Sequence, residues 1–344
     1  MIGRYHPAMS APAPDLPRFR LFRDPSPLEP LPRFSAELGH GVEVWVKRED
    51  LLPLAFGGNK LRNLEFLVGA ALAEGADTLV TSGRRWSNHC RLTAAAGAKA
   101  GLAVKLVLSG PPADPPGPGM RLMQSLGGAV HQLPTADRGA REAEVERIAA
   151  GVRARGGRPY VIGVGGSGVL GAYGQYLAGL EVFEQVAVAG LKVDAIVVPS
   201  ATGGTQAGLI AAAAHRSPGT RIDGVVVARS ASELRPAIVS MIRELDALVT
   251  GGMAATSIAD AAPGPDRAID LREDQLGEGY GRPTSAAGEA AALLARTEGI
   301  VTDPIYTAKA LAGLVEAVRA GAWDSRRILF WHAGGLPGIF EPLD

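Results

Sequence analysis

Lys60 stands directly after Gly57-Gly58-Asn59 and directly before the helical run Leu61-Arg62-Asn63-Leu64-Glu65-Phe66-Leu67. A lysine amine is a nucleophile only when neutral, and a neutral amine condenses with a carbonyl to give a Schiff base. The first turn of a helix opposes an ammonium through the positive end of the helix dipole. The two glycines permit backbone angles closed to other residues and leave room for a flat ligand. Lys60 is therefore the leading candidate for covalent chemistry, with a solvated surface lysine as the alternative. A second candidate is the loop Ser200-Ala201-Thr202-Gly203-Gly204-Thr205. It lies between an apolar strand and a helix, where backbone N–H groups and threonine hydroxyls converge on an anion. No Lys-Ser or Lys-Thr pair follows its glycines, so one phosphate fits better than a triphosphate.

Ser87-Asn88-His89 opens an Ala-rich helix. The free N–H groups of that first turn suit a substrate carboxylate, although Ser87 and Asn88 also serve as ordinary caps. Tyr280 lies between Gly279 and Gly281, and Tyr306 follows Asp303-Pro304-Ile305 at a helix start. Such tyrosines act in catalysis or anchor loops by packing. Asp303 is a candidate cap for that helix. Gly163-Val164-Gly165-Gly166-Ser167-Gly168 satisfies the dinucleotide fingerprint G-x-G-x-x-G, but the next strand ends in Val198-Pro199-Ser200 without an acid. Glu181 and Glu184 have the spacing but fall on the intervening helix, so a Gly-rich hinge or a ligand-facing turn is the better reading. Cys90 reads as a small buried residue, and the six histidines show no metal-ligand spacing.

The elements that must position these residues alternate along the chain. Strands are expected near Val42–Lys47, Thr78–Thr81, Ala103–Leu108, Ala129–Leu133, Pro159–Ile162, Asp194–Pro199, Ile222–Ala228 and Arg327–Trp331. Helices are expected near Asn63–Glu74, Arg91–Ala100, Met120–Leu126, Ala136–Arg155, Gly168–Val186, Gln206–His215, Ser285–Arg296 and Thr307–Ala320. Ser82–Trp86 and residues 109–119 read as loops. Residues 1–40 read as an extended wrap, because Pro27, Pro30 and Pro32 oppose a helix. Gly251–Leu276 carries no clear pattern. Alternating strands and helices predict an α/β protein with an open, mostly parallel sheet.

The chain has 344 residues, enough for about two domains. Its 35 basic and 35 acidic residues balance, so no global field favours nucleic acid or an anionic membrane. A single cysteine excludes an internal disulfide framework and fits a reducing compartment. Met1–Pro7 lacks a signal-peptide core and no window approaches a membrane span, so a cytoplasmic location is expected.

Eight motifs in one order resemble the fold-type II pyridoxal 5′-phosphate enzymes, the tryptophan synthase β family. They are Lys47-Arg48-Glu49-Asp50, Gly57-Gly58-Asn59-Lys60, Ser87-Asn88-His89, Val164-Gly165-Gly166-Ser167, Thr202-Gly203-Gly204-Thr205, Gly279-Tyr280-Gly281, Asp303–Thr307 and Trp331-His332-Ala333-Gly334-Gly335. The resemblance is to the branch of D-cysteine desulfhydrase and 1-aminocyclopropane-1-carboxylate (ACC) deaminase. It implies two open, mostly parallel twisted sheets flanked by helices, with pyridoxal 5′-phosphate between a large and a small domain. Residues 1–61 with 187–344 would form the large domain, and 62–186 the small mobile one. It implies a homodimer.

The same resemblance implies roles by position. Lys60 would carry the cofactor and remove the α-proton. Asn59, Asn88, Ala201, Thr202, Gly203, Gly204, Thr205 and Thr307 would contact the cofactor. Trp86, Ser87, Asn88, His89, Tyr280 and Tyr306 would meet the substrate, with Ser87, Tyr280 and Tyr306 also catalytic. The implied reaction is α,β-elimination from a small amino acid, giving pyruvate, ammonia and, from D-cysteine, sulfide. ACC deaminases carry a glutamate where Thr307 stands, so the neutral residue favours the desulfhydrase branch. Arg84-Arg85-Trp86 replaces a small-small-Gln stretch in both branches. With Arg85 or Trp86 in the pocket, the substrate would be larger or more anionic, and L-cysteate sulfo-lyase activity is an alternative to ACC deamination. A non-catalytic ligand-binding protein of the same fold is the alternative from another class.

Overall fold

The structure is a computed structural model that describes residues 14–111, 116–251 and 269–341. The strands are β1 (Leu28–Pro30), β2 (Glu43–Arg48), β3 (Thr78–Arg84), β4 (Ala103–Ser109), β5 (Gly128–Leu133), β6 (Pro159–Val161), β7 (Ala195–Ser200), β8 (Arg221–Val226), β9 (Asp270–Arg272) and β10 (Arg327–His332). The helices are α1 (Pro32–Leu38), α2 (Lys60–Ala73), α3 (Asn88–Ala100), α4 (Pro118–Ser125), α5 (Arg138–Ala154), α6 (Val169–Val188), α7 (Gly204–Arg216), α8 (Ala231–Thr250), α9 (Ser285–Glu298) and α10 (Thr307–Arg319).

Two sheets result. One has the order β1-β2-β10-β7-β8-β9, and only β1 runs antiparallel. The other has the order β5-β4-β3-β6 and is wholly parallel. β7 lies mid-sheet, with Val197 opposite both Phe330 and Asp223. Its residues Ala195–Val198 are all buried, which a parallel sheet covered on both faces requires. One face of the larger sheet packs on α6, α7 and α8 through Tyr176, Leu209 and Ile238. The other packs on α1, α9 and α10 through Phe34, Leu294 and Leu311. The smaller sheet buries Leu79 and Leu106 against α2 and α3. Among the described residues no helix is long and apolar enough to cross a membrane.

Several expectations need correction. Residues 32–38 are helical, because Pro32 occupies the first turn, where its fixed φ and missing N–H cost nothing. Pro30 lies in the edge strand β1, where no ladder partner needs its N–H. The extended wrap holds for residues 14–27, where Leu21 is buried and its N–H donates to Glu65 at 2.8 Å. β3 continues through Arg84, so Ser82 and Gly83 are strand rather than loop. Helix α2 begins at Lys60 itself. Helix α8 lies outside the expected helices, and Ser230 and Glu233 form a capping box at its start. Much of Gly251–Leu276, four residues of the 109–119 loop, and Met1–Pro7 lie outside the described residues.

Candidate active site

In parallel sheets, helix N-termini gather at the carboxyl ends of the strands and open a crevice there. Here β7 leads into α7 and β3 leads into α3, and both helix starts line one cavity with the start of α2. The loop before α2 is forced into place. Ala55, Phe56, Gly57 and Gly58 all have positive φ, at 46°, 66°, 64° and 123°. A Cβ on Gly57 would come within 2.1 Å of the Asp50 carbonyl oxygen. Gly334 closes on Gly58 from the end of β10, where a Cβ would lie 2.5 Å from the Gly58 Cα. Asn59 N–H donates to the Ala333 carbonyl at 2.9 Å, and Asn59 Nδ2 donates to Thr205 Oγ1 at 3.0 Å. The lysine loop, the β10 turn and the α7 loop are thus one unit.

Lys47 and Lys309 are buried and Lys60 is half-buried, and the three differ. Lys47 donates to Glu181, Ser26 and Gln185, each at 2.6 Å. Lys309 donates to the carbonyls of Leu276 and Gly279. Lys60 is half-buried on the cavity wall, and no acceptor or carboxylate holds it among the described residues. Burial pushes its ammonium down to about 8. The helix start acts in the same direction. Behind Lys60, Arg62 pairs with Glu49 at 2.7 Å and with Glu181 at 2.6 Å. Burial alone would raise the Glu181 carboxyl, but Arg62 and Lys47 hold it down at about 2. Two cations and two carboxylates therefore lock the first turn of α2 to β2 and α6. Glu181 is spent on this network, which closes the dinucleotide reading.

The α7 loop has the expected form. Gly203 has φ 84° and caps α7 without any side-chain bond, so the first N–H groups of the helix are left for a ligand. Thr202 Oγ1 bonds Ser167 Oγ of the Gly163–Gly168 turn, and Val164 and Gly165 of that turn line the cavity. That turn is ligand-facing, as read from sequence. Ala201, Thr202, Gly203 and Thr205 line the cavity, whereas Gly204 sits behind them in the first turn.

At α3, Ser87 Oγ accepts from Cys90 N–H at 3.2 Å, so Ser87 caps the helix and faces the cavity at once. Asn88 and His89 also line it. Thr81 Oγ1 donates to the Ile162 carbonyl, so it accepts from Nε2–H of His89 at 2.9 Å. That fixes the tautomer and leaves Nδ1 as a buried acceptor without a partner. Burial and then the Lys60 charge push this imidazole down to about 3, so it is neutral. Arg91 donates to the carbonyls of Ala55 and Gly57 and to Asn88 Oδ1, tying α3 to the lysine loop. Burial pushes the Cys90 thiol up to about 12, which leaves it inert, as expected.

Tyr280 and Tyr306 meet hydroxyl to hydroxyl on the cavity wall. Burial raises both phenols, so the pair keeps its protons at neutral pH. Two candidate contacts lie elsewhere. Trp86 stands behind Tyr280, ring centroids 6.0 Å apart, and is not on the cavity wall. Thr307 is fully buried, and its hydroxyl donates to Asp303 at 2.5 Å. Asp303 caps α10 as expected, accepting from the N–H groups of Ile305, Tyr306 and Thr307. Arg85 is buried and also off the wall. The arginines that do line the cavity are Arg84, Arg138, Arg141 and Arg229. Only Arg84 lies near a sequence motif; the others come from the charged amphipathic helix α5 and from the turn after β8.

The model of the pyridoxal-phosphate dependent enzymes matches residues 20–334. The chain belongs to that family. It is 42% identical over 330 residues to a D-cysteine desulfhydrase of Salmonella choleraesuis (strain SC-B67), covering 94% of this chain and 95% of the relative. The D-cysteine desulfhydrase of Salmonella typhi is equally similar. A solved ACC deaminase homologue superposes with a TM-score of 0.83 at 32% identity, covering 95% of this chain and 94% of that one. The family's cofactor, pyridoxal 5′-phosphate, brings an aldehyde, a flat ring and a phosphate. The cavity offers an unpaired amine for the first, a glycine-walled slot for the second and the bare start of α7 for the third, so the residues present fit the group.

Proposed function

We propose that this pyridoxal phosphate-dependent enzyme is a lyase that carries out α,β-elimination on a small amino acid, with D-cysteine as the reference substrate. The observation that carries the proposal is Lys60, a half-buried amine without a partner among the described residues, held between the uncapped start of α7 and the Ser87-capped start of α3. Bound there, the cofactor supplies an electron sink for a carbanion at Cα. The N–H groups at the start of α7, with Thr202 and Thr205, hold the cofactor phosphate. Asn59 braces Thr205, and Asn88 meets the ring oxygen. The start of α3, with Ser87, holds the substrate carboxylate. Lys60 Nζ takes the α-proton. The Tyr280–Tyr306 pair donates a proton toward the leaving sulfur. Thr307 and Trp86 support the wall without touching ligand. In net terms cysteine and water give pyruvate, ammonia and hydrogen sulfide. Support for the substrate comes from the D-cysteine desulfhydrases at 42% identity.

We also propose that the four-stranded sheet and its helices move against the larger sheet to close the cavity. Helix α6 shares the core of the larger sheet, so it belongs with the static part. A homodimer in the cytoplasm rests on the family resemblance, and light scattering on the purified protein checks the dimer.

The test is release of pyruvate and sulfide, in equal amounts, from D-cysteine by the cofactor-loaded protein. Turnover of the D isomer with little from the L isomer or from ACC supports the proposal. A normal near-visible cofactor band with no release from D-cysteine would overturn the substrate and keep the cofactor.

A further inference from the structure

Among the described residues the cavity wall carries five cationic side chains, Lys60, Arg84, Arg138, Arg141 and Arg229, and no aspartate or glutamate. Arg84 ends β3, Arg138 and Arg141 lie in the first turn of α5 and just beyond it, and Arg229 precedes the cap of α8. Sequence distance does not separate them in space. The charges of Arg84 and Arg138 act on Arg141, and those of Arg138 and Arg141 act on Arg229. Arg141 is 8% exposed, donates once to Ser109 Oγ at 3.2 Å, and its buried Nε has no partner. Arg138 reaches Glu233 at 3.7 Å across half-exposed side chains, a weak compensation. No carboxylate is paired with Arg84, Arg141 or Arg229 among the described residues.

Like charges gathered at one wall cost free energy unless an anion answers them. The cofactor phosphate is answered at the start of α7, and it carries at most about two negative charges. The substrate carboxylate is answered at the start of α3. Arg141 feels both Cys90 and Tyr280, which places it beside the Ser87–Tyr280 edge of the cavity. That edge is where the substrate side chain lies in the lyase reading, on which this inference rests. A guanidinium binds sulfonate, carboxylate or phosphate through paired N–H groups.

We propose that Arg84, Arg138, Arg141 and Arg229 form a specificity site for a second acidic group, so that the substrate is an amino acid with an anionic substituent at Cβ. A thiolate, a sulfonate and a carboxylate share the required charge. Arg141 is the anchor because it is buried and has donors to spare. Arg84 is its neighbour across the mouth, and Arg138 and Arg229 draw anions in from solvent.

The experiment titrates the cofactor-loaded protein with both enantiomers of alanine, serine, aspartate and cysteate, following the near-visible absorbance. Aspartate and cysteate should bind at least about tenfold tighter than alanine and serine at low salt. That preference should shrink as sodium chloride is added. Arg141→Gln and Arg84→Gln should each reduce the acidic-to-neutral ratio several-fold. If Arg141→Gln fails to retain cofactor, Arg84→Gln, at a half-buried strand end, carries the same readout. A ratio near one in the wild-type protein, or a ratio unchanged in both variants, would overturn the proposal. An acidic preference without pyruvate release would refute elimination and leave the specificity site standing. Pyruvate release without the preference would do the reverse.

Discussion

The two walls of the cavity hold ligands by different means. On the side of the six-stranded sheet backbone groups meet the ligand at the start of α7, the Gly57–Gly58 turn and the close approach of Gly334, beside side chains such as Thr202 and Thr205. On the side of the four-stranded sheet the ligand-facing groups are mostly side chains, from Arg84, Ser87, Asn88, His89, Arg138 and Arg141. Backbone donors are fixed by the fold and cannot be changed one residue at a time. Side chains can be replaced singly. The first wall suits a cofactor common to a whole family, and the second suits a substrate that varies within it. Lys60 stands at the junction, on the larger sheet's side but in a helix that packs under the smaller sheet.

Substitutions should separate the walls. Lys60→Ala lies at the junction and should have the largest effect. Turnover should drop by at least about a thousandfold, and the near-visible band should disappear. A persisting band would place the cofactor elsewhere. Next come two substitutions of one polar group each. Thr205→Val removes the Asn59 partner and a phosphate donor, and should weaken cofactor retention about tenfold. Ser87→Ala removes the cap of α3 and a carboxylate contact, and should raise KM about tenfold while cofactor dissociation moves less. Equal effects of both on cofactor dissociation and KM would erase the distinction between the walls. The smallest effect is on pH dependence. Only the neutral amine captures the aldehyde, and its fraction grows as pH rises through the folded pKa. Cofactor uptake by the cofactor-free protein should therefore rise with pH and level off above about 8. An unburied lysine would keep the rate rising toward 10.5.

The same contrast explains what was legible in the sequence. Backbone sites need glycine or small residues at fixed offsets, so Gly57-Gly58-Asn59-Lys60 and Thr202-Gly203-Gly204-Thr205 stand out in the linear chain. Both sheets followed from strands and helices in alternation, and β7 announced itself as a buried apolar run. The arginine wall left no such trace. Arg138 and Arg141 lie in a helix whose other charges face water, and only the packing of α5 beside β3 turns Arg141 inward. Arg85 looked the better candidate than Arg84 because their directions depend on β3 running one residue beyond Gly83, and strand ends are poorly marked in sequence. Thr307 was assigned to the cofactor by resemblance, but its hydroxyl is engaged by Asp303 four residues earlier, a contact set by helix capping.

The most direct test of Lys60 as the cofactor's anchor is chemical. The loaded protein is reduced with borohydride, digested, and its labelled peptide sequenced by mass spectrometry. The reduced cofactor should sit on Lys60 alone, because Lys47 and Lys309 are committed to acceptors. A label on either of those lysines, or a band that vanishes on reduction without labelling any lysine, would contradict the assignment.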